Sequence, residues 1–198
     1  WQYCMEDPDC GGMLCIAQRR QGKTYRASCS QYEVISRSPN AIGGIQSKNK
    51  DDAKKFFIHH IVEPFKKLPD YIRPEYDKSQ GTSPKNELRF FATSQRGENV
   101  NEDDERDALN SLINYGPANE KHYDGWKLKI GAIDEYGKAE EVSVVERHRT
   151  IKFCITEGTR IVGKLIYTTT VEEMAGGRTL EESKLMWEES DPNKKDKN

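Results

Sequence analysis

A chain of 198 residues fits one domain of ordinary size and leaves a two-domain enzyme cramped. Hydrophobic residues make up 34% and charged residues 32%, so the sequence predicts a small core under a very polar surface. A net charge of −2 forces no disorder by self-repulsion, and by itself it neither advertises nor excludes nucleic-acid binding. No run approaches the roughly 20 apolar residues that a membrane-spanning helix needs. The chain opens at Trp1 without a charged-then-apolar leader, and reads as a piece that begins inside a longer protein. Cys4, Cys10, Cys15, Cys29 and Cys154 are odd in number and hold no C-x-x-C pair, which favours reduced, mostly buried thiols over a zinc ribbon or a disulfide framework.

Residues 13–17 form a short apolar run expected as a strand buried on both faces of a parallel sheet. After a polar loop, residues 25–36 lack Gly and Pro and space Tyr25, Ala27, Cys29, Tyr32, Val34 and Ile35 as a mostly buried helix, which Pro39 and Asn40 end. A second strand is expected over 41–47. Asp51 and Asp52 suit a helix first turn, and Ala53, Phe56, Phe57, His60 and Ile61 follow at three-and-four spacing, with Pro64 expected to end or kink the helix near Glu63.

Residues 73–85 read as a surface loop and 88–93 as a third strand, while 95–107 are polar, acidic and aperiodic, as in a mobile loop or a shortened stretch. One or two helical turns are expected over 108–113, before Gly116 and Pro117. Residues 126–133 rise into a strand at Ile130-Gly131-Ala132-Ile133. A helix over 142–147, a strand over 151–155, an apolar strand over 163–169 and a polar linker or tail over 188–198 complete the pattern, which has no internal repeat.

Gly22-Lys23-Thr24 stands between an apolar strand and a helix, where backbone N–H groups can wrap a phosphate and the helix N-terminus adds positive potential. In such a P-loop Lys23 reaches the β- and γ-phosphates of ATP, and the Thr24 hydroxyl binds Mg²⁺. Ala17 stands where the usual motif has its first Gly, and the triplet also arises by chance; its strand-loop-helix setting is what gives it meaning. Asp134 and Glu135 end an apolar strand. In a chain this rich in charge such a pair is commonly a solvated turn, but beside a P-loop Asp134 suits Mg²⁺ and Glu135 suits the general base that prepares water. Thr168, Thr169 and Thr170 end the following apolar strand, at the edge where α/β ligands bind; a plain β-branched strand end accounts for them equally well.

Ala17-Gln18-Arg19-Arg20-Gln21-Gly22-Lys23-Thr24, the stretch Tyr123-Asp124-Gly125-Trp126-Lys127-Leu128 leading to Ile133-Asp134-Glu135-Tyr136-Gly137-Lys138, and residues 162–174 together resemble the ATPase domain of tailed-bacteriophage large terminase subunits. The resemblance runs from 13 to 191, in the family's motif order, and a small residue for the first Gly with an Arg inside the loop is common in that family. It implies an α/β P-loop NTPase sandwich with a mostly parallel central sheet and helices on both faces, spanning 1–187, with nucleotide held along Gln18, Arg19, Arg20, Gln21, Gly22, Lys23, Thr24 and Tyr25.

The implied activity is ATP hydrolysis with Mg²⁺, driving double-stranded DNA into a procapsid. The implied setting is the host cytoplasm away from membranes, as a homo-oligomeric ring on the portal protein, with the small terminase subunit as a further partner and a monomer expected for the isolated domain. Thr168, Thr169 and Thr170 would be the coupling motif. Arg19 or Arg20 would be the arginine finger, which some members take from a neighbouring subunit instead; a surface Arg paired with an acid accounts for each as well.

The family's C-terminal nuclease would follow the tail, so nuclease activity is not expected of this piece. Its adenine pocket lies upstream of the loop, near Trp1, Gln2 and Tyr3. His59 and His60 read as core or surface histidines rather than metal ligands. Lys48, Lys50, Lys54, Lys55, Lys66 and Lys67 would face DNA phosphates or form a solvated helix face. Two rival readings stay open: a helicase-like nucleic-acid translocase, and a nucleotide-binding assembly module with little hydrolysis.

Overall fold

The structure, a computed structural model, describes residues 1–77, 83–90, 109–139, 141–170 and 177–190. A short helix, α1 (Gln2–Glu6), precedes β1 (Gly12–Ile16), after which come α2 (Lys23–Arg37) and β2 (Ile42–Gln46). Three helical pieces follow without a break: α3 (Lys50–Phe56), a π-helical stretch (Phe57–Val62) and α4 (Glu63–Lys67). Then come β3 (Glu87–Phe90), β4 (Ser111–Tyr115), β5 (Ile130–Asp134), a 3-10 turn (Tyr136–Lys138) and α5 (Val144–Cys154). A small hairpin of β6 (Thr156–Glu157) and β7 (Arg160–Ile161) leads to β8 (Lys164–Thr169) and α6 (Arg178–Glu189).

Among the described residues six strands make one sheet in the order β1-β8-β5-β2-β4-β3. All neighbours are parallel except β3 and β4. Parallel neighbours need crossovers, and these place helices on both faces. The pleat divides β5 accordingly: Ile130 and Ala132 pack with Ala27 and Ile35 of α2 and with Phe57 and Ile61 of the π-helical stretch, whereas Ile133 packs with Val144 and Ile151 of α5 and Met186 of α6. β8 splits the same way, with Ile166 on the first face and Leu165 and Tyr167 on the second. The expected α/β sandwich with a mostly parallel sheet is the fold.

Several local expectations yield to tertiary context. β1 has every residue half-buried, because among the described residues β8 is its one neighbour in the sheet. On α2 the inward face is Ala27, Ser28, Gln31 and Ile35, which leaves Tyr25 and Cys29 exposed. The five cysteines are free, as expected, but only Cys154 of them is buried. The helix does not stop at Pro64; the wider π-helical turns before it accommodate a residue that lacks an N–H and crowds the preceding turn, and the helix runs on to Lys67.

Residues 111–113, within the stretch 108–113 expected as helical turns, belong instead to a strand that runs to Tyr115, because pairing with β2 and β3 outweighs local preference. Residues 151–154, expected as a strand, are the last turn of α5, where Ile151 and Cys154 face the core at helical spacing. The helix α6 was not anticipated; it buries Thr179, Ser183 and Met186 and includes Glu188 and Glu189, expected in the tail. Residues 91–108, 171–176 and 191–198, on which the expected mobile loop, the end of the third strand and most of the tail fall, lie outside the described residues. Among the described residues no helix is long and apolar enough to cross a membrane.

The centre of the sheet is fixed by one tyrosine. A Cβ on Gly44 would stand 2.8 Å from Tyr123 Cζ, so the ring lies directly on the β2 backbone. Its hydroxyl accepts from Ile45 N–H at 2.9 Å and shares its proton between Ile45 C=O at 3.2 Å and Asn114 Oδ1 at 3.0 Å. Tyr123→Phe removes a buried hydroxyl that bonds both Ile45 and Asn114 and is expected to lower stability by about 1–3 kcal/mol, read as a lower urea midpoint at unchanged m-value; an unmoved midpoint would refute the anchoring role.

Candidate active site

The carboxyl ends of β1, β8 and β5 lie level with one another. Ile16 is in register with Thr169, Cys15 with Thr168, and Thr168 in turn with Asp134. Beyond β1, Ala17 N–H donates to Thr169 C=O at 3.2 Å, so the chain leaves the sheet beside β8. The loop that follows has left-handed residues at Arg20 (φ 64°) and Gly22 (φ 71°). This alternation, ending on the N-terminus of a 15-residue helix, is the backbone pattern from which anion-binding nests are made.

The first two residues of α2 reach back to the acids. Lys23, with a side chain 8% exposed, places Nζ 3.3 Å from Glu135 Oε1. Thr24 Oγ1 donates to the Asp134 carboxylate, 3.2 and 3.3 Å from its two oxygens. Thr168 Oγ1 donates to Asp134 Oδ1 as well. Thr170 Oγ1 lies 3.4 Å from Glu135 Oε2, and Lys138 Nζ lies 2.8 Å from the same oxygen. Glu135 itself is left-handed (φ 51°, ψ 41°), which breaks the strand's alternation and lets its carboxylate stay beside that of Asp134. Behind the turn, the fully buried Arg147 donates Nη2 to Tyr136 C=O at 3.2 Å, and Tyr167 OH sits 2.9 Å from His148 Nδ1.

The two acids differ electrostatically. Burial pushes the Asp134 carboxyl above its ordinary value and the neighbouring Glu135 charge adds to this, while the hydroxyls of Thr168 and Thr24 and the charge of Lys23 offset only part. Burial also acts to raise Glu135, but the hydrogen bond from Lys138 and the charges of Lys23 and Lys138 outweigh it and hold Glu135 below the usual range. Asp134 and Thr24 offer hard oxygens, the donor chemistry that suits Mg²⁺ rather than a soft metal, so the residues present fit that ion.

Of the residues singled out in the sequence, Lys23, Thr24, Asp134, Glu135, Thr168 and Thr170 converge. Thr169 is buried with an Oγ1 that has no hydrogen-bond partner among the described residues. Gln18, Arg19, Arg20, Gln21 and Gly22 lie exposed along the loop, and Tyr25 is exposed on α2. Trp1 packs on α2, donating Nε1 to Ser30 Oγ at 3.0 Å, with the Arg26 guanidinium 5.3 Å from its ring. His59 pairs with Glu63, His60 packs edge-on against Phe56, and Lys48 and Lys55 both pair with Asp52. Lys138 lies in a stretch that carries the resemblance but no role follows for it from the sequence, and Arg147 and His148 carry no signal there.

No protein-family model matches the chain, and no curated protein matches it in sequence. Among solved structures the fold is shared with a mutant large terminase ATPase domain of Thermus phage P74-26, at a TM-score of 0.52 and 15% identity over 79% of this chain and 58% of that one. It is also shared with the large terminase of the thermophilic bacteriophage D6E in complex with ADP, at a TM-score of 0.51 and 16% identity over 84% of this chain and 36% of that one. The chain thus spans little more than a third of the D6E protein. At this level of identity the likeness establishes the fold, which is that of large terminase ATPase domains.

Thr168→Val leaves the part-buried Asp134 carboxylate with one hydroxyl donor in place of two among the described residues. The variant is expected to lose about 1.5–3 kcal/mol of stability in urea denaturation near pH 7, and a loss under about 0.5 kcal/mol would show that the hydroxyl does not carry the carboxylate.

Proposed function

We propose that this domain binds MgATP at the carboxyl ends of β1, β8 and β5 and hydrolyses it to ADP and phosphate. The observation that carries the reading is the convergence of Lys23 and Thr24 from the start of α2 on Asp134 and Glu135 at the end of β5, segments far apart in the chain. Lys23 and the loop N–H groups hold the β- and γ-phosphates. Thr24 and Asp134 hold Mg²⁺, which when bound neutralises charge on the phosphate oxygens. Glu135 accepts a proton from the attacking water as its oxygen bonds to the γ-phosphorus and the bond to the bridging oxygen of ADP breaks. Its held ionisation suits that role, since only the carboxylate can take the proton.

The larger setting rests on the fold shared with the phage terminases. In that setting the domain is the motor of a DNA-packaging terminase that moves double-stranded DNA, as a homo-oligomeric ring on a portal with a small subunit. Arg19 or Arg20, exposed on the loop, is the candidate arginine finger, and Thr168, Thr169 and Thr170 transmit the state of the γ-phosphate to the sheet. Thr168 and Thr170 each touch one of the two acids, which supports such a link.

Turnover of MgATP over a protein concentration series, with ATPγS binding measured in parallel, tests the proposal. Glu135→Gln is expected to lower kcat by about 10²–10⁴-fold, the usual range for removing a general base, and to keep ATPγS affinity within a few-fold. Lys23→Ala is expected to lose binding itself. Equal turnover in wild type and Glu135→Gln overturns the assignment of the base.

A further inference from the structure

Among the described residues Glu135 is gripped by two ammonium groups, one on each oxygen: Lys23 at 3.3 Å from Oε1 and Lys138 at 2.8 Å from Oε2. The two lysines are built differently. Lys23 opens α2 at the phosphate loop, and its charge is the one a triphosphate will draw. Lys138 closes the 3-10 turn that starts at Glu135 itself, its backbone N–H donating to Glu135 C=O at 3.0 Å, and its side chain is 11% exposed. That turn is braced from beneath by Arg147, which donates to the carbonyl of Tyr136. Lys138 therefore belongs to the same small rigid unit as the carboxylate it holds, whereas Lys23 belongs to the ligand's side of the cleft.

We infer that Lys138 is the positioning residue for Glu135 in the hydrolytic reaction, an inference that rests on the MgATP reading above. When phosphates take Lys23, Lys138 keeps Oε2 fixed and screens the carboxylate from the negative γ-phosphate. Oε1, released by Lys23, is then the oxygen that faces water and takes its proton. Lys138 remains an ammonium throughout; it neither gives up a proton nor touches the nucleotide, and acts through Glu135 alone.

The test is a double-mutant cycle on purified protein, reading kcat, KM for MgATP and ATPγS affinity for Lys138→Met, Lys138→Arg, Glu135→Gln and the double variant Glu135→Gln with Lys138→Met. Thermal melting of each variant checks that it is folded. Lys138→Met is expected to lower kcat by about 10–100-fold, the scale of a misplaced catalytic group, while KM and ATPγS affinity stay within about threefold. Lys138→Arg should restore most of the rate, and adding Lys138→Met to Glu135→Gln should change nothing further.

A folded Lys138→Met with wild-type kcat overturns the inference. So does a double variant slower than Glu135→Gln by the full factor, because Lys138 would then act on the substrate directly. A wild-type protein that neither binds ATPγS nor turns over MgATP defeats the underlying reading instead, and the inference falls with it.

Discussion

Two strand spacings separate β1 from β5, because β8 lies between them, and at about 4.8 Å per spacing the loop after β1 and the acids after β5 stand roughly 10 Å apart. Everything at the site depends on how that gap is bridged. Thr168, at the end of the intervening strand and in register with Asp134, covers it from within the sheet. Lys23 and Thr24 cover it from above, because α2 packs back over the sheet and aims its first turn at the acids. The gap is narrow enough for side chains to span. The inserted strand is thus what sets the distance that Lys23, Thr24 and Thr168 bridge.

The cluster also balances its charges before any ligand enters. Two adjacent carboxylates at a half-closed site would repel one another and lose hydration, and each is compensated by a different kind of partner. Asp134 receives neutral hydroxyls and stays hard to ionise, a state that a divalent cation would reverse. Glu135 receives ammonium groups and stays ionised. A part-buried ion pair of this kind is a weak source of stability. The left-handed turn at Glu135 and the buried guanidinium beneath it belong to the same arrangement, since together they hold the second acid where an ideal strand would have turned it away.

Much of this was legible in the sequence where the signal is local. Short apolar runs marked β1, β2, β5 and β8, Gly22-Lys23-Thr24 marked the turn into α2, and Asp134-Glu135 marked the end of an apolar strand. What failed was decided at long range. Residues 108–113 read as helical turns until β2 and β3 pair with 111–115, and 151–155 reads as a strand until the core chooses the helical spacing of Ile151 and Cys154. By sequence the three threonines form one block. The period of two along a strand separates them, since Thr168 and Thr170 share a side and each meets an acid, while Thr169 is buried away from both. Lys138 could not be picked out from residue type alone, because 31 lysines and arginines are spread through the chain and only the turn at Glu135 brings this one back onto the carboxylate.

The most direct measurement is a crystal structure of the protein grown with ATPγS and Mg²⁺, read at the Lys23–Glu135 contact. The account predicts that Lys23 Nζ leaves Glu135 for a phosphate oxygen, that the ion sits between Thr24 and Asp134, and that Lys138 keeps its contact with Glu135. Nucleotide bound elsewhere, or bound in the loop with the Lys23–Glu135 pair intact, would contradict it.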